Sequence, residues 1–208
     1  DPTQEQWRQL AELLARKELL PMFDIAYQGF GKGVAEDVQG LHTVAAAVKE
    51  LLVCNSFSKN FGLYSERVGG LTLVSETAEI AQATFSQAKL AVRANYSNPP
   101  RHGGEIVVTI LSDPQLKDEW LSELATMRER IQKMRTLIVE TMKKYSDQDF
   151  SFIEQQLGMF SFTGLSPQQV ERLQKEHGVY IVGSGRINVA GVTPANVESL
   201  CQAIGQVL

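Results

Sequence analysis

The sequence predicts an α/β fold in two domains joined by a long helix, and three observations predict it. Short apolar runs near residues 19–25 and 51–54 flank a helical segment, the strand, helix, strand order of a crossover unit. Leu116, Trp120, Leu124, Met127, Ile131, Met134 and Leu137 step by four or three, one apolar stripe on a helix from about Pro114 to Lys144. After that helix, short strands and helices alternate around what reads as a smaller, separate core, with the change of domain near Met127.

Thr3 and Gln6 have the form of a capping box, and Trp7, Leu10, Leu13 and Leu14 recur at helical spacing, so a first helix is expected to about Lys17. Leu19 to Ile25, with Pro21 early in the run, reads as a strand that delivers Asp24 and Tyr27 to a loop at its C-terminal end, where parallel sheets place ligands. The glycines at 29, 31 and 33 do not match a dinucleotide fingerprint. A helix over about Glu36 to Val48 leads to a strand at Leu51 to Cys54, and Val68 to Val74 reads as another strand. Helices are expected over Glu76 to Ala94 and His102 to Leu111, separated by Asn98-Pro99-Pro100, which cannot continue a helix. Beyond the long helix, Phe150 to Glu154, Met159 to Thr163, Val179 to Val182 and Ile187 to Val189 read as strands. Ser166-Pro167 starts a helix that ends at His177-Gly178, and Thr193-Pro194 starts a last one to Val207.

Composition narrows the function classes. An apolar content of 43% over 208 residues is that of a globular protein, and a net charge of -4 gives no reason to expect nucleic acid. No run of 18 apolar residues predicts a membrane span and no signal peptide opens the chain, so a cytoplasmic location is expected. Cys54 and Cys201 read as reduced packing residues. His42, His102 and His177 show no metal-ligand spacing, and no metal is expected.

The chemistry concentrates in Ser56-Phe-Ser58-Lys59-Asn-Phe-Gly62-Leu-Tyr-Ser-Glu-Arg67-Val-Gly-Gly70, the connection between two strands. It sets a nucleophilic amine, Lys59, beside hydroxyls and a guanidinium. An amine can form a Schiff base with a carbonyl, and hydroxyls with a guanidinium can hold a phosphate.

Ser56-x-Ser58-Lys59-x-x-Gly62-Leu63-x-x-x-Arg67-Val68-Gly69 resembles the pyridoxal-phosphate lysine motif of class I, fold type I aminotransferases, in particular the aspartate and aromatic amino acid subgroup. Ser65 departs from the Gly, Asn, Ala or Arg usual there, and a small polar residue suits a turn. Asp24 to Phe30, Arg93 to Pro100, Gly158 to Phe162 and Ser184 to Gly191 resemble the same family in the same order, so the likeness covers the chain. It implies that 1–127 is the C-terminal part of a large, mostly parallel-sheet cofactor domain and that 128–208 is a small α+β domain. It also implies that about half of such an enzyme lies upstream.

The resemblance assigns roles residue by residue. Lys59 becomes the catalytic residue, holding the cofactor as a Schiff base and moving the substrate proton. Asp24 would hold the ring nitrogen protonated, Tyr27 would donate to the phenolic oxygen, and Ser56, Ser58 and Arg67 would bind the phosphate. Arg186 would pair with the substrate α-carboxylate, Phe160 would wall the pocket, and Arg93 would reach across a homodimer to a side-chain carboxylate. Residue type alone leaves other readings open: Asp24 as a turn cap, Tyr27 as a core tyrosine, Arg186 as a surface arginine, Arg93 as a cation favourable to a helix C-terminus. The implied activity is transamination of aspartate with 2-oxoglutarate. The alternatives are an aromatic amino acid aminotransferase and, of another class, an inert folding or dimerisation unit.

Overall fold

The computed structural model describes residues 2–208, and its contacts divide them into two compact units. One holds 2–29 and 33–124, the other 30–32 and 125–208.

In the first unit, Thr3 Oγ1 accepts from Gln6 N at 3.2 Å and Gln6 Oε1 from Thr3 N at 2.8 Å, which starts α1 (Gln4–Arg16). The strand β1 is Met22–Ile25, shorter than expected, with Leu19 and Leu20 left outside it and exposed. A turn of 3-10 helix (Glu36–Val38) and a short α2 (Gln39–Ala45) carry the chain to β2 (Leu51–Ser56). β1 and β2 pair in parallel with Asp24 opposite Cys54, as the crossover predicts. β3 (Gly69–Val74) pairs with β2 antiparallel, Ser56 opposite Gly69. The segment between them makes turns without a helix, and a parallel return needs a crossover.

Gly69 is required by that pairing, since a Cβ there would lie 2.4 Å from the carbonyl oxygen of Asn55. Thr77 caps α3 (Ala78–Asn95), no residue of which is buried. α4 spans Arg101–Ser112. Asp113 Oδ1 accepts from the backbone N–H groups of Gln115 and Leu116, and Pro114 needs no acceptor, so α5 begins at once and runs Pro114–Met142.

The second unit takes over within α5. The buried face of the helix there is Ile131, Met134, Arg135, Ile138, Val139, Thr141 and Met142, one of them charged, while Met127 of the expected stripe is 40% exposed. Phe150–Glu154 is not a strand. Asp149 accepts from the backbone and hydroxyl of Ser151, and a single helical turn, α6 (Phe152–Gln155), buries Ile153 three residues after buried Phe150. β4 (Phe160–Phe162) and β5 (Arg186–Asn188) form an antiparallel pair with Phe162 opposite Arg186.

Val179–Val182 is not a strand either, since only Val182 finds a bridge, to Arg186. The Ser166–Gln169 capping box starts α7 (Pro167–His177), and Gly178 ends it in the left-handed region at φ 65°. Thr193 and Asn196 exchange side-chain to backbone hydrogen bonds, so the segment after Pro194 is spent on a turn and α8 begins at Val197, ending at Val207. Leu165, Leu173, Ile187, Val189, Val197, Cys201 and Ile204 complete this core.

Candidate active site

Because β1 and β2 run in the same direction, their C-terminal ends release two chemically loaded segments side by side. Asp24 sits at the end of β1, exposed, and among the described residues its carboxylate makes no hydrogen bond or ion pair. Tyr27 follows in the loop. Lys59, three residues beyond β2, is half-buried, and its Nζ lies 4.8 Å from the centre of the Tyr27 ring. The amine is in no ion pair among the described residues.

The lysine is held by its neighbours. Ser58 is buried and its N–H donates to Ser56 Oγ at 3.2 Å, and Gly62 N donates to Lys59 O at 3.1 Å. Asn60, 6% exposed, donates from Nδ2 to Gln28 O at 3.2 Å, tying the lysine loop to the tyrosine loop. The carbonyl of Asn60 accepts from Trp120 Nε1 at 2.8 Å, and the Trp120 ring stacks on Phe61 at 4.6 Å, which meets Phe57 edge-on at 5.5 Å.

Phe57 N donates to Val68 O at 3.2 Å, extending the β2–β3 ladder to the residue after Arg67. Arg67 has φ 53°, strained for a residue with a side chain, and such strain is concentrated at functional sites. Its Nη1 donates to Tyr64 O at 3.0 Å, which leaves other N–H groups of the fork for an anion. Behind it, His102 Nδ1 and Glu66 Oε2 are 2.8 Å apart.

The second unit holds the other two candidates together. The Arg186 guanidinium lies 4.7 Å from the Phe160 ring centre, across the β4–β5 pair. Arg135 underlies this pair, donating to the carbonyls of Gly158 at 2.7 Å, Phe160 at 2.8 Å and Ile153 at 3.1 Å, and to Ser161 Oγ. Burial lowers its pKa to about 10, and it is still protonated at neutral pH. Burial likewise raises the Cys201 thiol to about 11, with Glu198 adding to the effect. Arg93 stands apart in the last turn of α3, exposed and without an ion pair or hydrogen bond among the described residues. Among the described residues no three His, Cys, Asp or Glu side chains could hold a metal ion, and no described helix is long and apolar enough to cross a membrane.

Residues 1–204 match the family described as aminotransferase class I and II. The chain belongs to that family. This chain is 57% identical, over its whole length, to 53% of the aspartate aminotransferase of Haemophilus influenzae. Over the same span it is 46% identical to 53% of the aromatic-amino-acid aminotransferase of Escherichia coli. Its fold superposes with TM-score 0.96 and 44% identity on the crystal structure of an aromatic-amino-acid aminotransferase from Burkholderia pseudomallei covalently bound to pyridoxal phosphate, covering all of this chain and 52% of that one. The chain spans about half the length of the curated relatives it matches.

Asn60, Trp120 and Arg135 carry hydrogen bonds that hold these segments, and their spacing does not single them out. Asn60 sits next to the motif lysine with no signal of its own. In the sequence Trp120 reads only as an apolar residue of the long stripe, though its indole N–H donates to the backbone carbonyl of Asn60. Arg135 had one usable signal, its place four residues after Ile131 and three before Ile138 on the buried side of a helix.

Proposed function

We propose that the chain is the C-terminal part of a cytoplasmic, homodimeric aminotransferase that moves the amino group of aspartate to 2-oxoglutarate with pyridoxal phosphate, Lys59 being the covalent anchor. In this reading the first unit is part of the large cofactor domain and the second is the small domain. The observation that carries it is Lys59 Nζ over the Tyr27 ring at the shared end of β1 and β2.

The donor set fits the cofactor. Asp24 offers an unpaired carboxylate for a pyridine N–H, and Ser56, Ser58 and Arg67 offer hydroxyls and a planar cation for a phosphate. Bound pyridoxal phosphate supplies an electron sink for the charge that develops at the substrate α-carbon. Asp24 holds the proton at the ring nitrogen, and Tyr27 donates to the phenolic oxygen. With the cofactor bound, Lys59 Nζ would be the base that takes the proton from the substrate α-carbon and returns it on the cofactor side. Arg186 receives the α-carboxylate with Phe160 against it, and Arg93 receives the side-chain carboxylate in the neighbouring subunit's site.

Aromatic amino acids are the alternative substrates, supported by the similarity to aromatic aminotransferases. An inert folding unit is the alternative of another class, supported by the exposed apolar surface of the first unit. The test is to add pyridoxal phosphate to the complete enzyme, reduce with borohydride and map the peptides. Lys59 is expected to carry the label ahead of Lys49 and Lys89, and label spread evenly over the surface lysines refutes the assignment.

A further inference from the structure

Arg135 is 1% exposed, and among the described residues no carboxylate pairs with it. A buried cation is costly unless its N–H groups are satisfied, and all four acceptors here lie on one short segment, Ile153 to Ser161. Two are the carbonyls of Gly158 and Phe160, the approach to β4 and its first residue. The planar guanidinium cannot satisfy these acceptors in a second arrangement without moving the strand, so it fixes the backbone that aims the Phe160 ring. That ring is the surface against which the Arg186 guanidinium lies at 4.7 Å.

The same helix grips the far side of the strand pair. Arg130 Nη1 and Nη2 donate to Ala190 O and Val192 O, both at 3.1 Å, just beyond β5. α5 thus holds the segments bordering both strands through two arginines, and only the one beneath Phe160 is buried.

We propose that Arg135 is a positioning residue for substrate binding: by fixing Phe160 it sets the orientation in which Arg186 meets a carboxylate. This rests on the reading of Arg186 as the carboxylate-binding group. A bidentate contact depends on the plane of the guanidinium as well as on its charge. Misalignment therefore weakens carboxylate binding before it affects proton transfer at Lys59.

The test uses the complete enzyme with Arg135→Met, Arg135→Lys, Arg186→Leu and the double variant Arg135→Met/Arg186→Leu. Arg135→Met is expected to raise KM for aspartate about tenfold while kcat falls less than about twofold, with Arg135→Lys in between. Calorimetry with succinate, which binds without reacting, should show the same loss of affinity. In the double variant the loss should not exceed that of Arg186→Leu alone, because Arg135 acts through that side chain.

Losses that multiply, or a fall in kcat at constant KM, overturn the proposal. If Arg186→Leu itself leaves KM and succinate affinity unchanged, the reading of Arg186 fails, and the proposal with it. Should Arg135→Met not fold, Ser161→Ala removes one acceptor and keeps the cation. A KM rise of roughly threefold at constant kcat supports the proposal, and an unchanged KM overturns it.

Discussion

The three candidate arginines differ in what holds them. Arg67 is bonded to Tyr64 O and Arg186 lies on Phe160, but Arg93 has nothing to hold it among the described residues. A cation left free at a helix end is consistent with a partner supplied by substrate in a neighbouring subunit. In the complete enzyme, Arg93→Leu is therefore expected to cut kcat/KM for aspartate on the order of a hundredfold and to change that for phenylalanine little, because only aspartate is left with an unpaired carboxylate. Steady-state kinetics on both substrates decide it, and equal losses make Arg93 structural. The type and spacing of the candidate residues around Lys59 are legible in the sequence itself. The φ of 53° at Arg67 is not, since a strained backbone leaves no mark in a residue's type.

Among the elements, the β2–β3 pairing is the most exacting, because it sets Gly69 opposite Ser56 at the base of the Lys59 segment. Gly69→Ala places a methyl against the Asn55 carbonyl and is expected to destabilise the complete enzyme by about 1–3 kcal/mol, whereas Gly70→Ala, with nothing within 4 Å, stays within about 0.5 kcal/mol. Urea midpoints of the two variants test this, and equal shifts show that the close approach is not what holds the register.

Helix starts governed by neighbouring side chains, at Thr3–Gln6 and Ser166–Gln169, were legible because every bond lies within four residues. Phe150–Glu154 and Val179–Val182 were misread because a short apolar run becomes a strand only where another strand can pair with it. Arg135 escaped because the stripe was traced through apolar residues alone, while burial follows the face of the helix whatever it carries.

For the whole molecule the decisive fact is where the core lies. Beyond α5 the second unit buries a dense set of side chains. The first leaves Leu19, Leu20, Met22, Leu71, Phe85 and Leu90 more than half exposed, and β1 and β3 are both edge strands. The isolated 208-residue chain is expected to self-associate and to bind pyridoxal phosphate only weakly. Sedimentation at a mass well above 23.0 kDa is the expected result. A well-behaved monomer that takes up one equivalent of pyridoxal phosphate contradicts it.

The uneven core also bears on motion. α5 is one hydrogen-bond ladder whose opening turns belong to the sparsely filled unit and whose remaining turns belong to the densely filled one. Local opening costs least where few side chains must be uncovered. Solvent exchange of the amide protons must then slow along the helix, from Leu116 toward Met142. A single rod can in this way be supple at one end and fixed at the other, and the fixed end is the one that carries Arg130 and Arg135.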